Sequence, residues 1–261
     1  MRSLNIAATG MLAQQTNVEV ISNNIANMNT TAYARRRAEF NDLLYQNMIR
    51  AGSASSDQGT IIPAGVQLGL GVRTAAVYRI SEQGSLAQTE NTFDIAINGK
   101  GYFQIQLPNG ETSYSRDGSF QLDPNGTLVT HEGYTVMPGI NIPLEAVGVT
   151  INASGEVLVK LDGQPDPQNV GQITLATFAN EAGLEAIGKN LFLETPGSGA
   201  PNVAAPGTPG YGSVMQGFVE NSNVNVVSEI TDLISAQRAY EMNSKAIKTS
   251  DEMMATVNQL K

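Results

Sequence analysis

Apolar residues recur at spacings of three and four near the start of the chain. Leu4, Ala8, Met11, Val18 and Ile25 form one stripe, with Gln15 and Ser22 filling its remaining positions. This heptad-like pattern predicts a helix over residues 4–28, about 40 Å long at 1.5 Å per residue. Ser3 is the expected N-cap. The run Asn27-Met28-Asn29-Thr30-Thr31 should end the helix, because short polar side chains compete for backbone hydrogen bonds. A second helix is predicted over residues 226–259. Ile230, Leu233, Tyr240, Ile247 and Met254 share its stripe, interrupted by Gln237, Ser244 and Asp251. Asn225 is the candidate N-cap, Glu229 suits the positive end of the helix dipole, and Glu241 with Lys245 is a favourable i,i+4 pair. Both stripes are thin for a globular core. They suit helices that bury themselves against each other and against copies from other chains, although an ordinary terminal helix pair on a monomer fits the periodicity equally well.

Between the helices the period changes. Turn dipeptides recur at Asn109-Gly110, Asp117-Gly118, Asn125-Gly126 and Glu132-Gly133, with short strand-like runs Tyr102–Leu107, Thr112–Arg116, Phe120–Asp123, Thr127–His131 and Tyr134–Met137. This spacing predicts an antiparallel meander. A further hairpin joins Val149–Asn152 to Val157–Leu161 through Ser154-Gly155, and Ile173–Phe178 is a further strand. The Pro/Gly-rich stretch Thr195–Tyr211 has no periodicity and is expected to be loop, as is the Gly/Ser/Ala-rich segment 46–75. The fold class is therefore α+β: N- and C-terminal helices forming a coiled-coil-like pair, with a central, mostly antiparallel β domain. The expected division is residues 1–32 and 224–261 as a terminal helical domain, 33–75 as an extended arm, and 76–223 as the β domain.

Charge sharpens this division. The net charge is -9, and residues 51–220 carry six basic and sixteen acidic residues, so the acidity sits in the middle. The balance argues against nucleic-acid binding, which needs a basic surface. Near-neutral ends can pack densely while an acidic middle stays solvated. Cysteine is absent, which removes disulfides, thiolate metal sites and a cysteine nucleophile. The start of the chain lacks an apolar stretch of signal-peptide length, so any export is expected to proceed without a cleaved secretory signal.

The candidate chemistry is sparse. His131 is the only histidine and sits at a predicted turn. Asp117 and Asp123 could form a glycosidase pair, but both lie at hairpin turns, where Asp is favoured for backbone reasons. Gly69-Leu70-Gly71-Val72-Arg73-Thr74 lacks the third glycine of a dinucleotide fingerprint, and Asn98-Gly99-Lys100-Gly101 lacks the upstream glycine of a phosphate loop. The one basic run, Arg35-Arg36-Arg37, is better placed to pair with acids at a protein interface than with phosphates. No catalytic, cofactor-binding or metal site is assembled, and no enzyme activity or cofactor is expected.

Three motifs in order carry a resemblance. Ser22-Asn23-Asn24-Ile25-Ala26-Asn27-Met28-Asn29-Thr30-Thr31-Ala32-Tyr33 resembles the N-terminal signature of the flagellar basal-body rod and hook proteins. Gln237-Arg238-Ala239-Tyr240-Glu241-Met242-Asn243-Ser244-Lys245 resembles their C-terminal signature, and Phe93-Asp94-Ile95-Ala96-Ile97-Asn98-Gly99-Lys100-Gly101-Tyr102-Phe103 their entry into the β domain. Ala32 stands where the family usually has Gly; if that position needs a positive φ, Ala is strained there. Tyr45–Arg50 and Ile61–Arg73 resemble an insertion typical of the distal rod members, which stiffens the rod and which the hook lacks. The resemblance implies a rigid helical tube of many copies that transmits torque from motor to hook. It implies terminal helices on the inner wall and the β domain outside. The implied partners are copies of itself, proximal rod proteins, the hook protein, the P-ring and L-ring proteins and the flagellar type III export apparatus. The implied location is the basal body, in a rod crossing the periplasm towards the outer membrane. The expected self-assembly residues are Leu4, Met11, Val18, Ile25, Ile230, Leu233, Tyr240, Ile247 and Met254.

Overall fold

A computed structural model describes residues 2–52, 63–164 and 166–259. The chain divides into two compact units: Met1–Ala26 with Arg36–Arg79 and Asn225–Lys261, and Asn27–Arg35 with Ile80–Val224.

The first unit holds both long helices. Helix α1 spans Arg2–Ala26 and α2 spans Val226–Gln259. The sequence places α2 correctly, and Asn225 caps it: its side-chain oxygen accepts the N–H groups of Val227 and Ser228 at 3.1 and 3.3 Å. Ser3 is not the N-cap of α1, because the helix already includes Arg2 and Ser3 lies inside its first turn. The helix stops at Ala26, two residues earlier than its pattern extends, where Thr30 folds back on Asn27 through both backbone and side chain. Four strands complete the unit: β1 (Arg36–Asp42), β2 (Tyr45–Ile49), β3 (Val66–Gly69) and β4 (Val72–Arg79). Strand β1 pairs antiparallel with β4, and β2 with β3. Segment 46–75 is thus not simply loop: it includes most of a hairpin arm, β2 with β3, and the start of β4, while residues 53–62, with Ile61 and Ile62, lie outside the described residues. The alternation of β2 and β3 is hidden from a burial-based pattern because both faces are largely exposed.

The second unit is the antiparallel β domain, and it owns the large core. Its strands are β5 (Leu86–Gln88), β6 (Ile95–Asn98), β7 (Tyr102–Gln106), β8 (Thr112–Ser115), β9 (Gln121–Leu122), β10 (Leu128–Val129) and β11 (Thr135–Val136). They continue with β12 (Ala146–Ile151), β13 (Glu156–Leu161), β14 (Gln168–Gln172), β15 (Leu175–Thr177), β16 (Glu185–Gly188) and β17 (Leu191–Leu193). The last are β18 (Asn202–Ala204), β19 (Ser213–Gln216) and β20 (Phe218–Glu220). The meander predicted from the turn dipeptides is present only in part: β7 pairs with β8 and β9, β10 and β11 follow one another, but β7 lies between β8 and β11, so Asp117-Gly118 joins no hairpin and the Gly118 carbonyl instead accepts the Ile95 N–H. The stretch Thr195–Tyr211 is mostly loop but contributes β18, which pairs with β15. Alternate residues of β6, β7, β13 and β15 bury Ile95, Ile97, Phe103, Ile105, Val157, Val159 and Leu175 in one cluster. Phe103 and Phe120 meet edge-on there with centroids 5.1 Å apart.

Two polar arrangements tie the ends of this unit together. The Glu220 carboxylate is buried, and it accepts from Arg116 Nε at 2.6 Å and from the Gly84 N–H at 2.9 Å. The same guanidinium donates to the carbonyls of Gly99 and Gly101 at 2.7 and 3.2 Å. Asn223 accepts the Arg35 N–H at 2.7 Å and donates to the carbonyls of Ile80 and Glu82, while its own N–H bonds Tyr33. Ala32 sits here with φ +55°, its N–H bonded to the Glu220 carbonyl at 2.8 Å. The position therefore does demand the left-handed region, and the alanine bears the strain that glycine would avoid.

Candidate self-assembly surface

Two contacts fix how α1 and α2 meet. A Cβ built on Gly10 lies 3.3 Å from the side-chain carbon of Asn243, and Asn24 donates to Glu229 Oε2 at 3.1 Å. From Gly10 to Asn24 is fourteen residues forward, and from Asn243 to Glu229 is fourteen residues back. The helices therefore run antiparallel and in step over two heptads.

The buried positions of this pair are Ala7, Ala13, Ile21 and Asn24 on α1 and Glu229, Ala236 and Ser250 on α2. Glu229, Ala236, Asn243 and Ser250 repeat every seven residues, and so do Gly10, Asn17 and Asn24. The sequence held this signal, but its residues are small or polar, so a search for apolar stripes passes over it. Helix α1 has a second packed side. Gly71, with φ +121°, brings the start of β4 so close that a Cβ would overlap Thr9 Oγ1, and that oxygen accepts the Val72 N–H.

The residues expected to mediate assembly take other places. Leu4, Met11, Val18 and Ile25 are half-buried, as are Leu233, Ile247 and Met254, while Ile230 and Tyr240 are exposed. Interrupting positions Gln237 and Asp251 are also exposed. The expected stripes are thus flanks of the helix pair rather than its centre. Further large apolar side chains stand open beside them: Ile6 and Leu12 on α1, and Val227, Ile234, Met242 and Met253 on α2. The hairpin arm adds Tyr45, Met48, Ile49, Val66 and Leu68, and Leu44 beside it is 82% exposed. A two-stranded ribbon exposed on both faces is marginal in water. Large apolar side chains left exposed in this number point to an interaction surface.

The groups weighed for catalysis have structural tasks. Asp117 accepts from the Ser119 backbone and hydroxyl. The Asp123 carboxylate accepts the N–H groups of Thr127 and Asn125, which holds its pKa below the ordinary value. His131 is exposed and lies 3.2 Å from the Gln121 amide. Arg35 reaches Glu82 at 3.6 Å. Among the described residues no group of three or more His, Cys, Asp or Glu could hold a metal ion, and no helix is long and apolar enough to cross a membrane.

Comparison with known proteins agrees with this architecture along the whole chain. Residues 4–33 match the family model "Flagella basal body rod protein", residues 96–159 "Flagellar hook protein FlgE/F/G D1 domain", and residues 215–260 "Flagellar basal body rod FlgEFG protein C-terminal". The chain is 60% identical over 261 residues to the flagellar basal-body rod protein FlgG of Caulobacter vibrioides, covering all of both chains. It is 54% identical to the FlgG of Agrobacterium fabrum over 99% of each, and 40% identical to that of Bacillus subtilis over 100% of this chain and 99% of the relative. The chain belongs to the flagellar basal-body rod protein family.

Proposed function

We propose that this chain, a structural subunit of the flagellar distal rod, polymerises into a rigid helical tube that carries torque from motor to hook. The observation that carries the reading is the division of labour in the terminal helices. Their mutual contact uses small and polar residues, and their large apolar side chains remain on the flanks and outer faces. A subunit that repeats head-to-tail without closing forms an open filament, and those faces are then covered by neighbouring copies. Leu4, Met11, Val18, Ile25, Ile230, Leu233, Tyr240, Ile247 and Met254 contribute to that burial. The helical segments 1–32 and 224–261 are assigned to the inner wall, and residues 76–223 to the outside, where P-ring and L-ring proteins act as a bushing. Proximal rod proteins join one end and the hook protein the other. Export runs through the flagellar type III apparatus into a rod that crosses the periplasm. The arm within residues 33–75 lies across neighbouring subunits and stiffens the tube.

Electron microscopy of concentrated purified protein tests the proposal. The expected result is straight tubes. Leu233→Asp and Ile247→Asp should abolish them while the β domain stays folded, because a carboxylate buried without a partner costs several kcal/mol in every copy. Tubes formed normally by both variants would overturn the assigned burial. Deletion of Asn47–Pro63 should leave polymerisation intact but give curved or flexible tubes; straight rods from that variant would remove the arm's stiffening role.

A further inference from the structure

The contact between α1 and α2 discriminates poorly by shape. Of its buried side chains, only Ile21 is large and apolar. A slip of one heptad, about 10 Å along the axis, exchanges small residues for small residues. A polar bond in such a seam discriminates well, because the wrong register strands a buried donor. One such bond is present. Asn24 is 1% exposed and Glu229 is 6% exposed. The Asn24 carboxamide oxygen accepts the Arg36 N–H at 2.8 Å, and its nitrogen donates both to the Arg36 carbonyl at 2.8 Å and to Glu229 Oε2 at 3.1 Å. Among the described residues Glu229 forms no ion pair with Lys, Arg or His. A slip in one direction sets Asn24 opposite Ala236; the other carries it past Val226, the first residue of α2.

We propose that Asn24 is the register-setting residue of the terminal helix pair. By locking β1 at Arg36 and α2 at Glu229 with one side chain, it selects the in-step pairing and so decides which side chains both helices leave outward. A carboxamide suits the position because it offers two N–H donors and an accepting oxygen on one short side chain, where a hydroxyl has a single donor; Asp would lose both donors and face a second carboxylate. The consequence for assembly rests on the rod-subunit reading, whereas the register itself does not.

Disulfide trapping separates register from stability, and the absence of native cysteine keeps it clean. Gly10→Cys with Asn243→Cys reports the in-step register; Gly10→Cys with Ala236→Cys or with Ser250→Cys reports a slip of one heptad either way. The full-length chain is oxidised and the linked peptides are quantified by mass spectrometry. With Asn24 present, the in-step yield should exceed either slipped yield about tenfold, the ratio that one buried hydrogen bond supports. Asn24→Leu should bring the three yields together while helix content is retained. Asn24→Asp should do the same, and adding Glu229→Gln should restore the ratio, because the new amide donates back to the new carboxylate. If Asn24→Leu loses helix content, recovery by the Asp/Gln pair decides. An unchanged ratio in Asn24→Leu, a uniform fall of all three yields, or no recovery in the Asp/Gln pair would overturn the proposal. The first outcome places register control elsewhere, and the second reduces Asn24 to a stabilising contact.

Discussion

Replacing Arg116 by methionine removes the cation from a buried carboxylate and takes the donor from two backbone carbonyls. Glu220 is 4% exposed and keeps only the Gly84 N–H of its two donors named above, while the Gly99 and Gly101 carbonyls lose theirs. Breaking one side of a buried pair typically costs about 3–5 kcal/mol. Glu220→Met should cost about as much, since it strands the guanidinium and the Gly84 N–H. The double variant should not cost the sum. With both charges gone, the desolvation penalty goes with them, and the remaining loss is the unmet backbone groups at roughly 1–3 kcal/mol each. At the midpoints of these ranges the double-mutant cycle should show a coupling of about 2 kcal/mol. Urea unfolding of the β domain, followed by near-ultraviolet circular dichroism, gives the four stabilities. Additive losses within about 0.5 kcal/mol would refute the reasoning, because they would mean the two charges are solvated independently.

Ala32→Gly should stabilise the chain. The left-handed backbone costs an L-residue roughly 1–2 kcal/mol, glycine returns about 0.4–1 kcal/mol through the freer unfolded chain, and the net gain of about 0.5–1 kcal/mol should raise Tm by a few degrees; an equal or lower Tm would contradict the assigned strain. Tyr114 is buried, and desolvation together with Glu194 pushes its pKa up to about 12. The neutral phenol is thus favoured in the folded state, so the stability it contributes is complete below the unfolded value near pH 10 and is lost as pH rises from there towards 12. Tyr114→Phe should flatten that alkaline loss in unfolding curves from about pH 10 towards 12; an unchanged slope would exclude Tyr114 as its source.

The sequence disclosed the elements better than their contacts. Helix α2 is bounded as the periodicity and Asn225 require, and three of the four turn dipeptides sit at hairpins, because both signals are local; that β7 pairs with β11 instead of leaving β8 next to β9 is a non-local choice. The contact between the two helices runs through Glu229 rather than Ile230, about one position from the apolar stripe, and a pattern of large apolar residues does not mark it. Here most of those residues lie on half-buried flanks or stand exposed, while Gly10, Ala236 and Ser250 line the contact. Asn223 is a second case. Its four backbone partners, Tyr33, Arg35, Ile80 and Glu82, come from segments far apart in the chain. Nothing in a window around residue 223 foretells them. Segment 46–75 was unreadable for a different reason: a ribbon exposed on both faces has no buried side to impose a period.

The first unit is assembled from the two ends of the chain, and this orders events in time. Asn24 and Glu229 are 205 residues apart. A chain made or threaded with its N-terminus leading presents α1 with a bare inner face until the final helix arrives. The β domain, by contrast, has all of its strands once Glu220 has emerged, and α2 is still to come. Non-local closure of this kind is slow, since the long loop must be ordered before the contact gives anything back. Completion of the helix pair is therefore a checkpoint on chain integrity. A polypeptide truncated between Glu220 and its last helix has every strand of the β domain yet cannot close the unit that its own first residues began.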